Sequence, residues 1–437
     1  MGTYAAGRET VHHGGVIAPG RALLVLSVMA ATLVAPAGPR PDVSPAVATT
    51  RGARPAPAPP ATLAEVQRVL DARVDAVGRA DREAFLATVD PAAPEAFRLA
   101  QAAAFEGLRS LPLASFSLTA RLDDTGDLGA GLSPRYGGAP TFLPETRMRM
   151  RFADYDDRDD VESLFLTFVR RGDRWYVAAD ADLAPLGIDS FRGLWDQGPV
   201  EVQRTAHFLV LSHPPDAGRA RSLAAVAEDA IGQLDQRWDE PWSHRVPLIL
   251  PASIDELSRI LQATFDLDNF VAFVAYGAVR DRDWEATAPR IYIQDRNLSR
   301  YRREDQVRTL THELDHVAVA PLAGPLIPSW VHEGVAEWVA VGRGTDGSRP
   351  AGSDGRLPQD FEFTVGGREA INLSYAESRS VVSFLAARWG ARAPIELVRS
   401  LGAEKVAPGS EELRVDRALT RIAGLTAAQL EKEWAAR

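Results

Sequence analysis

From Leu63 to about Asp90 the apolar residues recur every three or four positions. Val66, Leu70, Val74 and Val77 form one stripe, and Phe85 and Leu86 extend it. A helix of 3.6 residues per turn brings such positions to one face, so this stretch predicts an amphipathic helix. The period then shortens to two. Ser115–Leu122 (SFSLTARL), Arg147–Tyr155 (RMRMRFADY), Glu162–Arg170 (ESLFLTFVR) and Arg174–Ala179 (RWYVAA) predict strands, and Arg171-Gly172-Asp173 predicts a hairpin turn between the last two. A second block opens near Pro199. His207–His213 (HFLVLSH) and Arg245–Pro251 (RVPLILP) predict strands, Ala220–Trp238 and Ile254–Thr264 helices, and Phe270–Val279 and Arg290–Asp295 two further strands. The next periodic segment is helical again, with Val307, Leu310, Leu314 and Val317 on its buried stripe and Glu304 and Asp305 in its first turn, where the helix dipole favours acids.

The fold class is therefore α+β. Residues 61–195, a helical start followed by a meander of long strands, resemble the nuclear-transport-factor-2-like α+β cone. They hold no clustered acid, base or metal pair, which suits an accessory or pocket-bearing unit. Residues 196–437 form a second unit with a mixed sheet and a helical remainder.

The first 60 residues follow neither period. Arg8 and Arg21 precede an apolar run, Ala22–Val34, that ends in Ala35-Pro36-Ala37. The run is shorter than the roughly 20 residues that cross a bilayer. A basic start, a short apolar core and a small-x-small end predict a signal peptide over residues 1–37, cut after Ala37. An uncleaved membrane anchor is the alternative, and both readings put the body of the chain outside the cytoplasm. Residues 38–60 are rich in proline and alanine and read as an extended linker.

Composition narrows the chemistry. At 437 residues the chain exceeds one typical domain, and with 46% hydrophobic and 25% charged residues it is globular. A net charge of −10 with a pI near 5.4 argues against nucleic acid as a partner. There is no cysteine, so thiol nucleophiles, thiolate ligands and disulfides are all excluded, and any metal must be held by imidazole and carboxylate.

Against that background, Thr311–Ala320 (THELDHVAVA) stands out. The chain has eight histidines, and His-Glu-x-x-His is expected by chance roughly 0.01 times at this composition. On a helix His312 and His316 lie one turn apart, so both imidazoles can reach one ion at about 2.0–2.1 Å. Glu313, beside the first ligand, projects toward a water activated by that ion without joining the ligands, a general base's position. A third ligand is required. Val319 and Leu322 stand where a metzincin carries glycine and histidine, which excludes that class. The helix is expected to end at Pro321, and Ser329, as N-cap, to begin a second one, SWVHEGVAEWVA, through Ala340. There Glu333 and Glu337 share a face: the first is placed to bind the ion, and the second to accept a hydrogen bond from a ligand histidine. Gly334 would allow the two helices to approach closely. His332 is a rival ligand, but adjacent helical side chains diverge by about 100°, so only one of His332 and Glu333 can serve. With Glu333 as ligand, His332 would face the cleft or solvent. Trp330 and Trp338 read as core or pocket wall. A strand beside the motif helix could offer its free edge to an extended peptide.

His-Glu-x-x-His followed after sixteen residues by Glu333 within PSWVHEGVAEW resembles the gluzincin zinc metallopeptidases, in particular the peptidase MA-like branch. Ile371–Gly390 (INLSYAESRSVVSFLAARWG) and the closing LTAAQLEKEW are similar to that branch as well. The resemblance covers roughly Pro199 to Arg437. It implies a thermolysin-like domain with one zinc ion on His312, His316 and Glu333, with Glu313 as base and then acid, and with Glu337 behind the ligands. It also matches Tyr375 to a tyrosine that could donate to an oxyanion; a buried tyrosine of a C-terminal helix is the other reading. The Gly-x-Met-Glu-Asn strand of aminopeptidase relatives is absent, so an exported endopeptidase or small-peptide hydrolase, acting on a peptide or protein, is the expectation. Two alternatives are a catalytically inactive peptidase fold that binds partners, and a ligand-binding protein acting through the N-terminal cone.

Overall fold

The computed structural model describes residues 22–24, 60–122, 129, 131–263, 266–279, 285–323, 327–344, 346–403 and 411–437. Of the expected leader and linker, Ala22–Leu24 is described, as strand β1, and Pro60 already belongs to the first helix; the remainder lies outside the described residues.

The first apolar stripe folds as α1 (Pro60–Gly78) and α2 (Arg82–Leu86), with the Asp81 carboxylate accepting from the Ala84 amide at 2.9 Å to cap α2. A third helix, α3 (Glu95–Leu108), was not legible in the pattern: its alanines favour helix but give little apolar contrast. Strands β2 (Leu113–Arg121), β3 (Thr141–Phe142), β4 (Glu145–Phe152), β5 (Asp160–Phe165), β6 (Thr167–Arg171) and β7 (Arg174–Ala179) follow. They form two three-stranded sheets, β2-β4-β5 and β3-β6-β7. The stretch read as one strand, Glu162–Arg170, is thus two. The chain bends at buried Leu166 and passes from one sheet to the other, which lets a single apolar run serve two layers. The predicted hairpin is present: Arg171 pairs with Arg174, and Gly172 takes the left-handed backbone (φ 61°) that the turn requires.

The second half contains β8 (Glu201–Arg204), β9 (Phe208–Ser212), α4 (Ala217–Asp235), β10 (Val246–Leu250), α5 (Ile254–Leu261), β11 (Ala272–Val279) and β12 (Glu285–Ile293). Helices α6 (Asp295–Leu298), α7 (Arg303–Ala323), α8 (Ser329–Val341), α9 (Arg368–Trp389), α10 (Ala393–Ala403), α11 (Glu411–Ala423) and α12 (Ala427–Ala435) complete it. Its sheet runs β1-β11-β12-β10-β9-β8, parallel through β9, β10 and β12 and antiparallel elsewhere. Every residue of β9 and β10 is buried, as expected of parallel strands covered on both faces. The architecture is α+β. Among the described residues, no helix is long and apolar enough to cross a membrane.

The two halves share one hydrophobic core. At their contact Arg290 of β12 forms a two-pronged ion pair with Asp156, at 2.5 and 2.7 Å, and its guanidinium stacks 4.6 Å from the Phe152 ring centre. Both charged side chains are almost fully buried, at 2% and 0% exposure. Such a pair is tolerated only because each partner meets the other's charge, and removing one strands the other. Arg290→Met is predicted to destabilise the protein by about 3–5 kcal/mol; chemical denaturation of variant and parent measures this, and equal midpoints would deny the pair its role.

A second polar contact ties the residue that follows β9 to α5. His213 Nε2 lies 2.7 Å from Glu256 Oε1, and its Nδ1 lies 2.8 Å from the Pro199 carbonyl. The Glu256 hydrogen bond raises the His213 pKa above its ordinary value even though burial opposes it. A raised folded-state pKa gives stability that is complete below the unfolded value of about 6.5 and is lost as pH rises through the folded one. We predict that His213→Gln removes this part of the stability–pH slope above about pH 6.5. An unchanged slope in denaturation midpoints across pH 6–9 would count against the pair.

Candidate metal centre

Helix α7 carries the His-Glu-x-x-His motif through the middle of the second half. It packs on α4, β11 and β12 on one side and on α8 and α10 on the other. The predicted stripe of Val307, Leu310, Leu314 and Val317 is buried, but so is nearly everything from Gln306 to Val319, polar groups included. Acids occupy the first turn as predicted. The helix does not end at Pro321 but runs on to Ala323. The proline removes one amide from the last turn, and close packing holds that turn in place: a Cβ on Gly402 of α10 would collide with the Leu322 carbonyl.

The second helix also begins differently from the expectation. Ser329 is its first residue rather than its cap. Pro328 precedes it, and the Ser329 amide is taken by the Asp360 carboxylate at 2.8 Å. Gly334 does allow a close approach, but to α9 and not to α7. A Cβ there would stand 2.6 Å from the Ser378 carbonyl oxygen and 2.7 Å from Val382. The glycine thereby presses α8, and Glu333 with it, into the space between α7 and α9.

These elements bring His312, His316 and Glu333 together. His316 Nε2 is 3.0 Å from His312 Nε2, and Glu333 Oε2 is 3.2 Å from the first histidine nitrogen and 3.4 Å from the second. Three donors about 2.0–2.1 Å from one tetrahedral ion stand about 3.3–3.4 Å apart, so the triangle has the dimensions of a ligand face. The group is buried and can hold a metal ion. On the far side of the His312 ring, Glu337 Oε1 lies 3.2 Å from Nδ1. Burial opposes charge on His312, yet the contacts with Glu333 and Glu337 hold its pKa well above the ordinary histidine value. Burial would likewise raise the Glu337 pKa, and the His312 contact overrides it and holds that carboxyl below its usual range. A ring bracketed by two carboxylates is a strong electron-pair donor, suited to binding a cation.

Glu313 is fully buried beside the ligands. Tyr375, on α9, is buried, as one of its two readings expected, and it lies near the cluster. Its ring lies 6.3 Å from His312 and packs edge-on to Phe363. Its hydroxyl is buried without a hydrogen-bond partner among the described residues. Burial, and then Glu333, Glu313 and Glu337, push its pKa well above the ordinary phenol value, so it remains a donor. An orphaned donor and a ligand-sized triangle both fit an ion with something bound to it.

His332 does not face the cleft or solvent. It is buried and stacks flat on His316, with ring centres 4.1 Å apart and planes 5° from parallel. Burial, and then the neighbouring His316, lower its pKa to about 4, so it is a neutral platform that fixes the ligand ring. Trp330 and Trp338 are core. The motif reading passed over two residues. Asp315 is 1% exposed, and its carboxyl is pushed up to about 7, chiefly by burial. Tyr276 of β11 donates its hydroxyl hydrogen to the His316 backbone carbonyl at 2.9 Å. The expected free edge of β11 is paired with β1, Ala22 opposite Tyr276 and Leu24 opposite Val274.

Compared with known protein families, curated proteins and solved structures, the chain matches none. The chemistry therefore rests on the cluster itself.

The geometry separates the rival ligands. We predict that Glu333→Ala loses the bound metal and that His332→Ala keeps it, with weaker affinity from the lost stacking. Metal content of the purified variants decides this, and the reverse result would overturn the ligand assignment.

Proposed function

We propose that the protein is an exported zinc-dependent metallopeptidase, cleaving peptide bonds within a chain rather than removing its first residue. The observation that carries this reading is the buried His312–His316–Glu333 triangle with Glu313 beside it. Two imidazoles and one carboxylate, with no thiolate available, suit zinc with an open position. A merely structural ion would need no further acid or donor next to its ligands.

Bound to these three side chains, zinc would supply Lewis acidity toward water and a peptide carbonyl. Glu313 takes the proton of the attacking water and passes it to the leaving amine. The Tyr375 phenol donates a hydrogen bond to the carbonyl oxygen as negative charge grows there. Glu337, 3.2 Å from His312 Nδ1, would keep the proton on that nitrogen and leave Nε2 as the ligand atom. The substrate is a peptide or protein in extended form, laid along the edge of β11, where main-chain groups accept an antiparallel strand. Cleavage of the leader after Ala37 would remove β1 from that edge and open it. A net charge of −10 disfavours nucleic acid as a partner, and an uncut N-terminal segment would anchor the protein to a membrane.

Peptide-library hydrolysis that stops with a chelator and returns with zinc is the expected behaviour of the parent. Glu313→Gln should keep about one zinc per chain and lose about 10²–10⁴-fold in rate. Full activity in that variant would sink the mechanism.

A further inference from the structure

The ladder between β11 and β12 is irregular at one place. Ala275 pairs with Arg290 and Gly277 with Thr287, so Tyr276 alone faces both Ala288 and Pro289. The cause is local. Pro289 has no N–H to give to the ladder, and Ala288 adopts a left-handed backbone, φ 46°, that a non-glycine residue rarely takes. Bulges of this kind bend a strand and re-aim the side chains beside them. Here the Tyr276 hydroxyl reaches α7 and donates to the carbonyl of His316, a metal-ligand candidate.

The residue after the bulge is Arg290, held by Asp156 of the N-terminal half. Packing continues at Gly277, where a Cβ would stand 2.6 Å from Asp160 Oδ1. A run of close contacts therefore leads from the N-terminal half through Arg290 and the bulge to Tyr276, and from Tyr276 to His316. Hydrogen bonds within α7 fix the His316 backbone relative to its own helix only. Its distance to Glu333, on a different helix, depends on how α7 is seated. A ligand set must be held to within about 0.5 Å of its working geometry, and a buried hydroxyl on a rigid strand can provide such a stop.

We propose that Tyr276 is a positioning residue for the ligand His316, and that the N-terminal half sets its place through the Asp156–Arg290 pair beside the bulge. The inference rests on the metal centre proposed above, and it gives the N-terminal half a part in that centre.

The test uses the full chain, with zinc affinity measured by competition against a chromogenic chelator and the visible bands of the Co2+-loaded protein as a report on ligand geometry. Tyr276→Phe is expected to weaken zinc binding about 10-fold and to shift the Co2+ bands. Tyr155→Phe serves as the control. It removes another tyrosine hydroxyl bond to a backbone carbonyl, that of Thr205 at 3.3 Å, and should leave both readings at the parent value. Asp156→Asn, which weakens the pair while keeping its shape, should loosen zinc in the same direction as Tyr276→Phe. A Tyr276→Phe variant with parental zinc affinity and parental Co2+ bands overturns the positioning role. An Asp156→Asn variant that melts earlier but binds zinc equally well overturns the link to the N-terminal half. A parent chain that takes up neither zinc nor Co2+ refutes the metal centre itself, and the inference with it.

Discussion

Glu313, Glu333 and Asp315 carry three carboxyl groups into a region where each is 1% exposed or less. Removing an ionised carboxylate from water costs several kcal/mol even after a protein relaxes around it. The four apolar residues of the α7 stripe contribute about 1.5–3 kcal/mol each by burial, which is of the same order as the cost of three buried carboxylates, so the charge has to be relieved locally. The cluster relieves that cost in different ways. Asp315 shifts toward its neutral form, its pKa carried to about 7 chiefly by burial. Glu337, at the margin, has Arg308 and Arg379 near it. Glu333 faces two histidine nitrogens, which are neutral lone-pair donors unless a proton or a metal ion joins them. A divalent cation in the triangle answers the demand of Glu333 and of both imidazoles together, whereas a proton on His312 answers only part of it.

Such a cluster keeps its shape because its walls are independent. His312 and His316 belong to a helix buried along most of its length, and Glu333 to a second helix pressed in by Gly334 against α9. His332 lies flat on His316 from one side, and Tyr276 fixes the same residue's backbone from the other. Phe363 supports Tyr375 edge-on. Each contact comes from a different element, so no single loop carries the site.

The sequence yielded what depends on spacing along one helix. His312, Glu313 and His316 follow from a four-residue interval, and Glu333 and Glu337 from another, because 3.6 residues per turn fix which side chains share a face. Tyr375 could be named only through the family resemblance, since nothing in its own helix marks it. What escaped depends on contacts between elements. Asp315 and His332 look like surface residues until the helices that bury them are known. Gly334 signals a close approach but not its partner. Tyr276 reads as one apolar residue in a run of them, and its role comes from a bulge made on the opposite strand by Ala288 and Pro289. The division of Glu162–Arg170 into β5 and β6 escaped for a similar reason, since alternation persists across a bend.

Strand β11 is where these separate lines meet. Its inner neighbour β12 carries the bulge and the ion pair to the N-terminal half, and its face carries Tyr276 to the metal-ligand candidate. Its outer edge accepts an antiparallel strand whose register sets Ala22 opposite Tyr276 itself. A strand laid there adds main-chain hydrogen bonds along β11, the strand that carries Tyr276, and so stiffens the support of the cluster as it binds. An extended peptide replacing β1 would do the same, with its backbone running beside the helix that holds the ligands. On the proposed function, a single strand would both present the substrate and steady the ligand.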